Sequence, residues 1–130
     1  MLLVKTKLGL SKIHGIGLFA AEFIPKGTIT WKFIPGFDLE FSPHELAQLP
    51  PPSREQVLKY SYTHKKTGKY MLAGDDARFV NHSDAPNIVA GHSDIREEGT
   101  DIAARDIQEG EELTIDYKSF DAGFFSDARE

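Results

Sequence analysis

Short runs in which apolar and polar residues alternate dominate this chain. In Thr28–Phe33, the residues Ile29, Trp31 and Phe33 fall on one face and Thr28, Thr30 and Lys32 on the other, the period of a half-buried strand. Trp31 and Phe33 are assigned to the core. Tyr60-Ser61-Tyr62-Thr63-His64 alternates likewise, and a Thr67-Gly68 turn before Lys69–Ala73 predicts a hairpin. Apolar runs at Leu18–Ala21, Arg78–Val80, Ile88–Ala90, Ile102–Ala104 and Leu113–Tyr117, each bounded by Gly, Pro, Asn or Asp, predict further short strands. The fold class read from this is mainly β. Helix is confined to a short insert between about residues 43 and 59. Ser42-Pro43-His44-Glu45 supplies a capping oxygen, a proline at the first helical position and a carboxylate three residues after the cap. Ser53-Arg54-Glu55-Gln56 repeats the cap after Pro50-Pro51-Pro52, a run read as a break between two helices. The segments Ala21–Gly27 and Ala104–Gly110 share an Ala-x-x-Ile-x-x-Gly spacing, which fits either a duplicated hairpin or the same turn chemistry used twice.

Length and composition narrow this further. A chain of 130 residues is read as one domain, with 40% apolar and 27% charged residues, too apolar for a disordered segment. No run approaches a membrane span and the first residues show no signal-peptide pattern, so an intracellular, cytoplasmic or nuclear location is expected. The absence of cysteine excludes a disulfide framework, a thiol nucleophile and a zinc–thiolate site. A net charge of -5 argues against a broad nucleic-acid footprint and leaves room for a basic protein partner.

Three separated segments carry candidate chemistry. In Ser11–Ala20, the Gly15-Ile16-Gly17 step strips side chains from the backbone and lets its polar groups approach a ligand; no βαβ unit follows, so a dinucleotide loop is excluded. In Ala77–Asn87, an apolar run leads directly into Asn81-His82-Ser83 and then Pro86-Asn87. Asn81 and Asn87 there suit turns, and His82 suits a hydrogen-bonded packing role. The third, Gly110–Tyr117, is a strand ending on a tyrosine. His44, His64 and His92 are too scattered for a metal site, and no metal is expected; Lys65-Lys66 reads as a solvated hairpin tip.

Taken in order and spacing, the three segments resemble the SET-domain family of S-adenosylmethionine-dependent protein lysine methyltransferases. The likeness rests on His14-Gly15-Ile16-Gly17-Leu18-Phe19, Arg78-Phe79-Val80-Asn81-His82-Ser83 through Pro86-Asn87, and Gly110-Glu111-Glu112-Leu113 through Asp116-Tyr117. It runs from about residue 11 to residue 117 and leaves 118–130 as an aromatic tail. The resemblance implies a β-clip-like fold of small curved sheets in which the C-terminal segment forms a pseudoknot. It further implies that the backbone of His14, Gly15, Ile16 and Gly17, together with Asn81 and His82, holds the cofactor. Tyr117 then stands at the reacting centre as the catalytic residue, with Arg78 and Asp116 in support. Tyr60 and Tyr62, placed on one strand face, are candidates for the substrate channel.

The chain departs from the family at three places. Ile34, in Phe33-Ile34-Pro35-Gly36, stands where many members carry a channel tyrosine, and Ile115 stands where they often carry Phe or Tyr. The cysteine-rich zinc tail is missing; Phe120, Phe124 and Phe125 are read as a replacement lid or as a contact to a second subunit, which makes a homodimer an open alternative. The function implied is methyl transfer from S-adenosylmethionine to a protein lysine within a basic segment, with no direct nucleic-acid contact. The rival readings are a SET-fold module that binds cofactor or peptide without turnover, and a structural interaction domain.

Overall fold

In a computed structural model of the chain, residues 1–91 and 99–119 are described. Their strands form three small sheets. β1 (Thr6–Leu10) pairs antiparallel with β2 (Ile16–Ala20). β4 (Leu39–Phe41), β5 (Tyr62–Thr63) and β6 (Tyr70–Leu72) form a three-stranded sheet in the order β4-β6-β5. β3 (Ile29–Lys32), β7 (Asn81–His82), β8 (Ile88–Gly91), β9 (Thr100–Ala103) and β10 (Thr114–Ile115) form the largest, ordered β3-β9-β8-β10-β7. Two helices, α1 (Pro43–Ala47) and α2 (Pro51–Tyr60), lie between β4 and β5. The mainly β expectation with a short helical insert is thus met.

The principal core is Leu18, Ala20, Ile24, Ile88, Ala103, Ile107, Leu113 and Ile115, all buried. At its heart lie the two echoing segments. The Ile24 N–H donates to the Ile107 carbonyl (2.9 Å) and the Ile107 N–H returns to Ile24 (2.8 Å). The Gly27 N–H reaches Ala103 and the Gly110 N–H reaches Ala20, each at 2.8 Å. Both glycines sit at positive φ, +87° and +92°, where a Cβ is strained. The repeated spacing therefore marks two copies of one turn clasping each other about a local two-fold, with both isoleucines driven inside. Smaller clusters form around Trp31, Phe33 and Met71, and around Leu46, Val57 and Leu72.

Several local expectations need correction. Trp31 and Phe33 are buried as expected, but Ile29 is 44% exposed and Thr30 only 3%. The register of β3 against β9 shifts between Ile29 and Trp31, and such a bulge inverts the alternation behind it. α1 has the predicted capping box, with Ser42 and Glu45 bonded reciprocally. The bond from the Ser42 backbone is also the main cause holding the Glu45 carboxyl below its usual range. α2 starts at Pro51, inside the proline run, and not at Ser53. Prolines at the first two helical positions lack N–H groups that would have no intrahelical acceptor there, so the run opens the helix. Because α2 extends through Tyr60, that residue does not share a strand face with Tyr62. Arg78–Val80 is not a strand: Asp76–Phe79 forms a 3₁₀ turn capped by Asp75, and pairing begins at Asn81.

Candidate active site

β10 lies between β7 and β8 and runs parallel to both, with Thr114 opposite Asn81 and Ile115 opposite His82 and Ile88. Its two neighbours are joined by only a short loop, so the C-terminal strand threads between segments that are almost continuous in sequence. Asn87 fastens the threading. Its Nδ2 donates to the Glu112 carbonyl (2.8 Å), and its Oδ1 accepts from the Thr114 N–H (2.9 Å). At 2% exposure it is a buried staple, not the turn former its residue type suggested.

The glycine loop is built around a carboxylate. Ser11 Oγ donates to Glu112 (2.8 Å to Oε2) while accepting from the backbone N–H groups of Ile13 and His14, which bends the chain after β1. Gly15 closes the bend at φ +45°. Gly17 is required for a different reason: a Cβ there would lie 2.4 Å from Glu112 Oε2. Asn81, 7% exposed, directs its Nδ2 at the carbonyls of His14 (3.1 Å) and Ile16 (3.3 Å) and at Glu112 Oε2 (2.9 Å). Three acceptors around one nitrogen fix the amide orientation, because an oxygen in that place would face only other oxygens. Asn81 Oδ1 then has no donor among the described residues. A ligand bearing an ammonium or amide N–H fits that vacant acceptor, as the amino end of S-adenosylmethionine does.

Tyr117 opens a second 3₁₀ turn, Tyr117–Ser119, directly after β10. Its hydroxyl donates to the carbonyl of Val80, the residue before Asn81, in a short hydrogen bond. Its N–H donates to His82 Nδ1 (3.1 Å), and the two rings lie 5.4 Å apart. Accepting at Nδ1 puts the His82 proton on Nε2, which donates to Asp84 Oδ1 (3.1 Å). The Lys118 ammonium, 3.3 Å from Asp84, is the first cause holding that carboxyl below its usual range, and His82 adds to it. Asp116 accepts from the Lys118 N–H (3.0 Å). The ligating atoms of His82, Asp84 and Asp116 all lie within 4.8 Å of one another, but these internal bonds engage them.

Three of the predicted groups, the His14–Gly17 loop, Asn81-His82 and Tyr117, therefore converge. Arg78 supports from behind, donating to the Ala73 carbonyl (2.8 Å). The channel candidates scatter. Ile115 is 1% exposed within the principal core. Tyr62 packs on the Trp31 cluster, and Tyr60 on the Leu46 cluster with its ring 5.3 Å from Phe79. Ile34 sits at a tight turn, its N–H donating to buried Asp38 Oδ2 (2.8 Å) and its carbonyl accepting from the N–H groups of Phe37 (3.1 Å) and Asp38 (2.8 Å). Ser11, Glu112 and Thr114 escaped the sequence reading; polar side chains in otherwise regular positions of known motifs were the available signal. Phe120, Phe124, Phe125 and His92, and with them the lid expectation, lie outside the described residues.

Comparison with known proteins gives a consistent picture. The family model described as SET domain matches residues 15–118. Histone-lysine N-methyltransferase 2D of Homo sapiens is 34% identical over 125 residues, covering 85% of this chain and 2% of that protein. A histone-lysine N-methyltransferase, H3 lysine-4 specific, of Schizosaccharomyces pombe is 35% identical over 127 residues, covering 85% and 12%. This chain thus spans a small part of the length of either relative. Among solved structures, ctPRC2 in an autoinhibited conformation bound to S-adenosylmethionine superposes with a TM-score of 0.66 at 25% identity, over 90% of this chain and 16% of that one. No helix among the described residues is long and apolar enough to cross a membrane.

Proposed function

Because the chain belongs to the SET-domain family, we propose that it transfers a methyl group from S-adenosylmethionine to a lysine side chain of a protein. The observation that carries this reading is the shared anchoring of Tyr117 and the glycine loop. The phenol bonds to Val80, and the next residue, Asn81, clamps the carbonyls of His14 and Ile16. The names of the relatives support histone-like proteins as substrates and an intracellular site of action. A net charge of -5 suits a lysine flanked by basic residues and does not suit direct nucleic-acid binding.

Each group then has a task. Asn81 Oδ1 and the backbone of His14–Gly17 hold the cofactor's amino-acid end, and His82 lines the site beside Tyr117. When bound, the cofactor supplies a methyl on a sulfonium, an electrophile that only a neutral amine attacks. Deprotonating a free lysine from its pKa of about 10.4 costs about 4.6 kcal/mol at pH 7. The half-buried aromatic wall of Tyr117 and His82 disfavours the ammonium by desolvation, which offsets part of that cost. With its proton committed to Val80, the Tyr117 hydroxyl presents its lone pairs to the incoming amine and orients it.

Ile34 favours one second reading, a module that binds cofactor without turnover, since it supplies no channel hydroxyl. Labelled S-adenosylmethionine and a pool of basic, lysine-containing peptides separate the two. The enzyme reading expects label on peptide, reduced about a hundredfold or more in Tyr117→Phe with cofactor binding retained. Cofactor binding with no transfer by the wild-type chain would establish the module.

A further inference from the structure

Tyr117 is held at two points that do different things. Its hydroxyl bond to Val80 fixes the far end of the side chain, and its N–H bond to His82 Nδ1 (3.1 Å) fixes the backbone from which that side chain projects. The second bond depends on which nitrogen of His82 carries the proton, because a proton on Nδ1 would set one N–H against another. Asp84 decides this. Its Oδ1 lies 3.1 Å from His82 Nε2 and accepts the hydrogen bond there, which leaves the Nδ1 lone pair to Tyr117. Lys118 holds Asp84 in turn, its ammonium 3.3 Å from the same oxygen. Since Lys118 is the residue after Tyr117, the contacts form a closed circuit through His82, Asp84 and Lys118 back to the tyrosine.

The circuit is anchored on both sides. Beside Asp84, the Ser83 N–H donates to the Ile115 carbonyl (3.1 Å) and Ser83 Oγ accepts from the Ala85 N–H (3.1 Å), so the loop that carries the carboxylate is pinned to β10. The backbone of Lys118 is tied as well. Its N–H donates to Asp116 Oδ1 (3.0 Å), and its carbonyl accepts from the Lys65 ammonium (3.0 Å), which reaches across from the turn between β5 and β6. Lys65 is thus engaged, and not the purely solvated tip that its sequence suggested. We propose that Asp84 is a positioning residue for methyl transfer, acting through His82 and held by Lys118 to set the backbone of Tyr117. The proposal rests on the methyl-transfer reading for its purpose, and on the circuit of contacts for its placement. Because the Asp84 side chain is 80% exposed, altering it opens no cavity in the core.

Asp84→Ala and Asp84→Asn on the full chain test it. Alanine removes the acceptor, whereas asparagine keeps a carbonyl oxygen for His82 Nε2 and drops only the charge. Exposed contacts of this kind are weak, so exchange of the Tyr117 amide is expected to quicken about threefold in Asp84→Ala and to stay near the wild-type rate in Asp84→Asn. In labelled-peptide assays kcat is expected to fall by about the same factor in Asp84→Ala, with cofactor affinity and the urea midpoint unchanged. Combining Asp84→Ala with Lys118→Met is expected to cost no more than Asp84→Ala alone, since both act on one circuit. Nitrogen-15 shifts of the His82 ring at neutral pH are expected to place its proton on Nε2. A proton on Nδ1, an unchanged Tyr117 amide in Asp84→Ala, or losses that multiply in the double variant would each overturn the proposal. Absence of transfer by the wild-type chain would overturn the methyl-transfer reading, and with it the purpose assigned to Asp84; amide exchange and ring shifts would still decide its placement.

Discussion

Glu112 carries more of the site than its place in a surface-like Glu-Glu pair suggests. Its carboxylate accepts from Ser11 and Asn81 at once and occupies the space a side chain at position 17 would need. Gly17→Ala therefore has a definite consequence. The added methyl displaces the carboxylate, the Ser11 and Asn81 bonds break, and the loop from Ile13 to Gly17 loses its inner support. Two charge-assisted bonds are worth about 1.5–3 kcal/mol each, so cofactor affinity is expected to fall more than tenfold by calorimetry. Gly15→Ala is the informative comparison, because a Cβ there meets open space and only its φ of +45° is strained; a smaller loss is expected. Equal losses at both positions would show that backbone conformation alone matters. Either glycine could be singled out from the sequence as a place for close approach. What makes each necessary could not, because Glu112 is 95 residues from Gly17 along the chain and the sequence offers no means of pairing them.

At the scale of elements, the parallel placement of β10 between β7 and β8 depends on Asn87, whose side chain bridges Glu112 and Thr114 in a place sealed from water. Asn87→Ala leaves the Glu112 carbonyl and the Thr114 N–H buried without partners. The expected loss is about 2–4 kcal/mol by urea unfolding, with Tyr117 freed from Val80 in the remaining folded fraction. A loss under about 0.5 kcal/mol, the scale of surface substitutions, would mean that the threaded strand is held by packing and not by this staple. Elements with strictly local causes were legible: the Ser42 capping box, the Thr67-Gly68 hairpin and the repeated turn all follow from chemistry within a few residues. Elements with distant causes were not. The bulge in β3 is imposed by its pairing with β9, and it turns Thr30 inward against a perfect alternation. The start of α2 differs from expectation because the Pro50-Pro51-Pro52 run, read as a break, supplies the cap and the first two helical positions, where proline is tolerated just as Pro43 is in α1. β1 escaped because its leucines are exposed and Gly9 interrupts the strand to admit the Phe19 ring, 3.2 Å from where a Cβ would be.

For the molecule as a whole, the five-stranded sheet is the frame on which the site hangs, and it contains one electrostatic weakness. Half-buried Asp101 lies in β9, opposite Trp31 on one side and Ala90 on the other, and desolvation pushes its carboxyl up to about 7 against the weaker pull of the N-terminal ammonium. The sign of its effect on stability follows from proton uptake. Below about pH 4 the folded and unfolded chains both carry the proton, and Asp101 imposes no penalty. Between about pH 4 and pH 7 the unfolded chain releases a proton that the folded chain retains, so this group lowers stability as pH rises. Above pH 7 the penalty is complete, at most about 4 kcal/mol for a shift of about three units. Asp101→Asn removes the charge without removing volume. Its gain over wild type in urea unfolding is expected to be small near pH 4, to grow steadily toward pH 7 and then to level off. Parallel stability curves for the two proteins across that range would show that the sheet accommodates the ionised carboxylate at no cost. A gain of that form has a direct bearing on the site, because β9 supports β8, β8 pairs with β10, and β10 delivers Tyr117. Methyl transfer to lysine becomes easier as pH rises and the amine loses its proton, but Asp101 has by then imposed its full penalty on the sheet, so above pH 7 the variant is expected to keep its activity to a higher urea concentration than wild type, by an increment that no longer changes with pH.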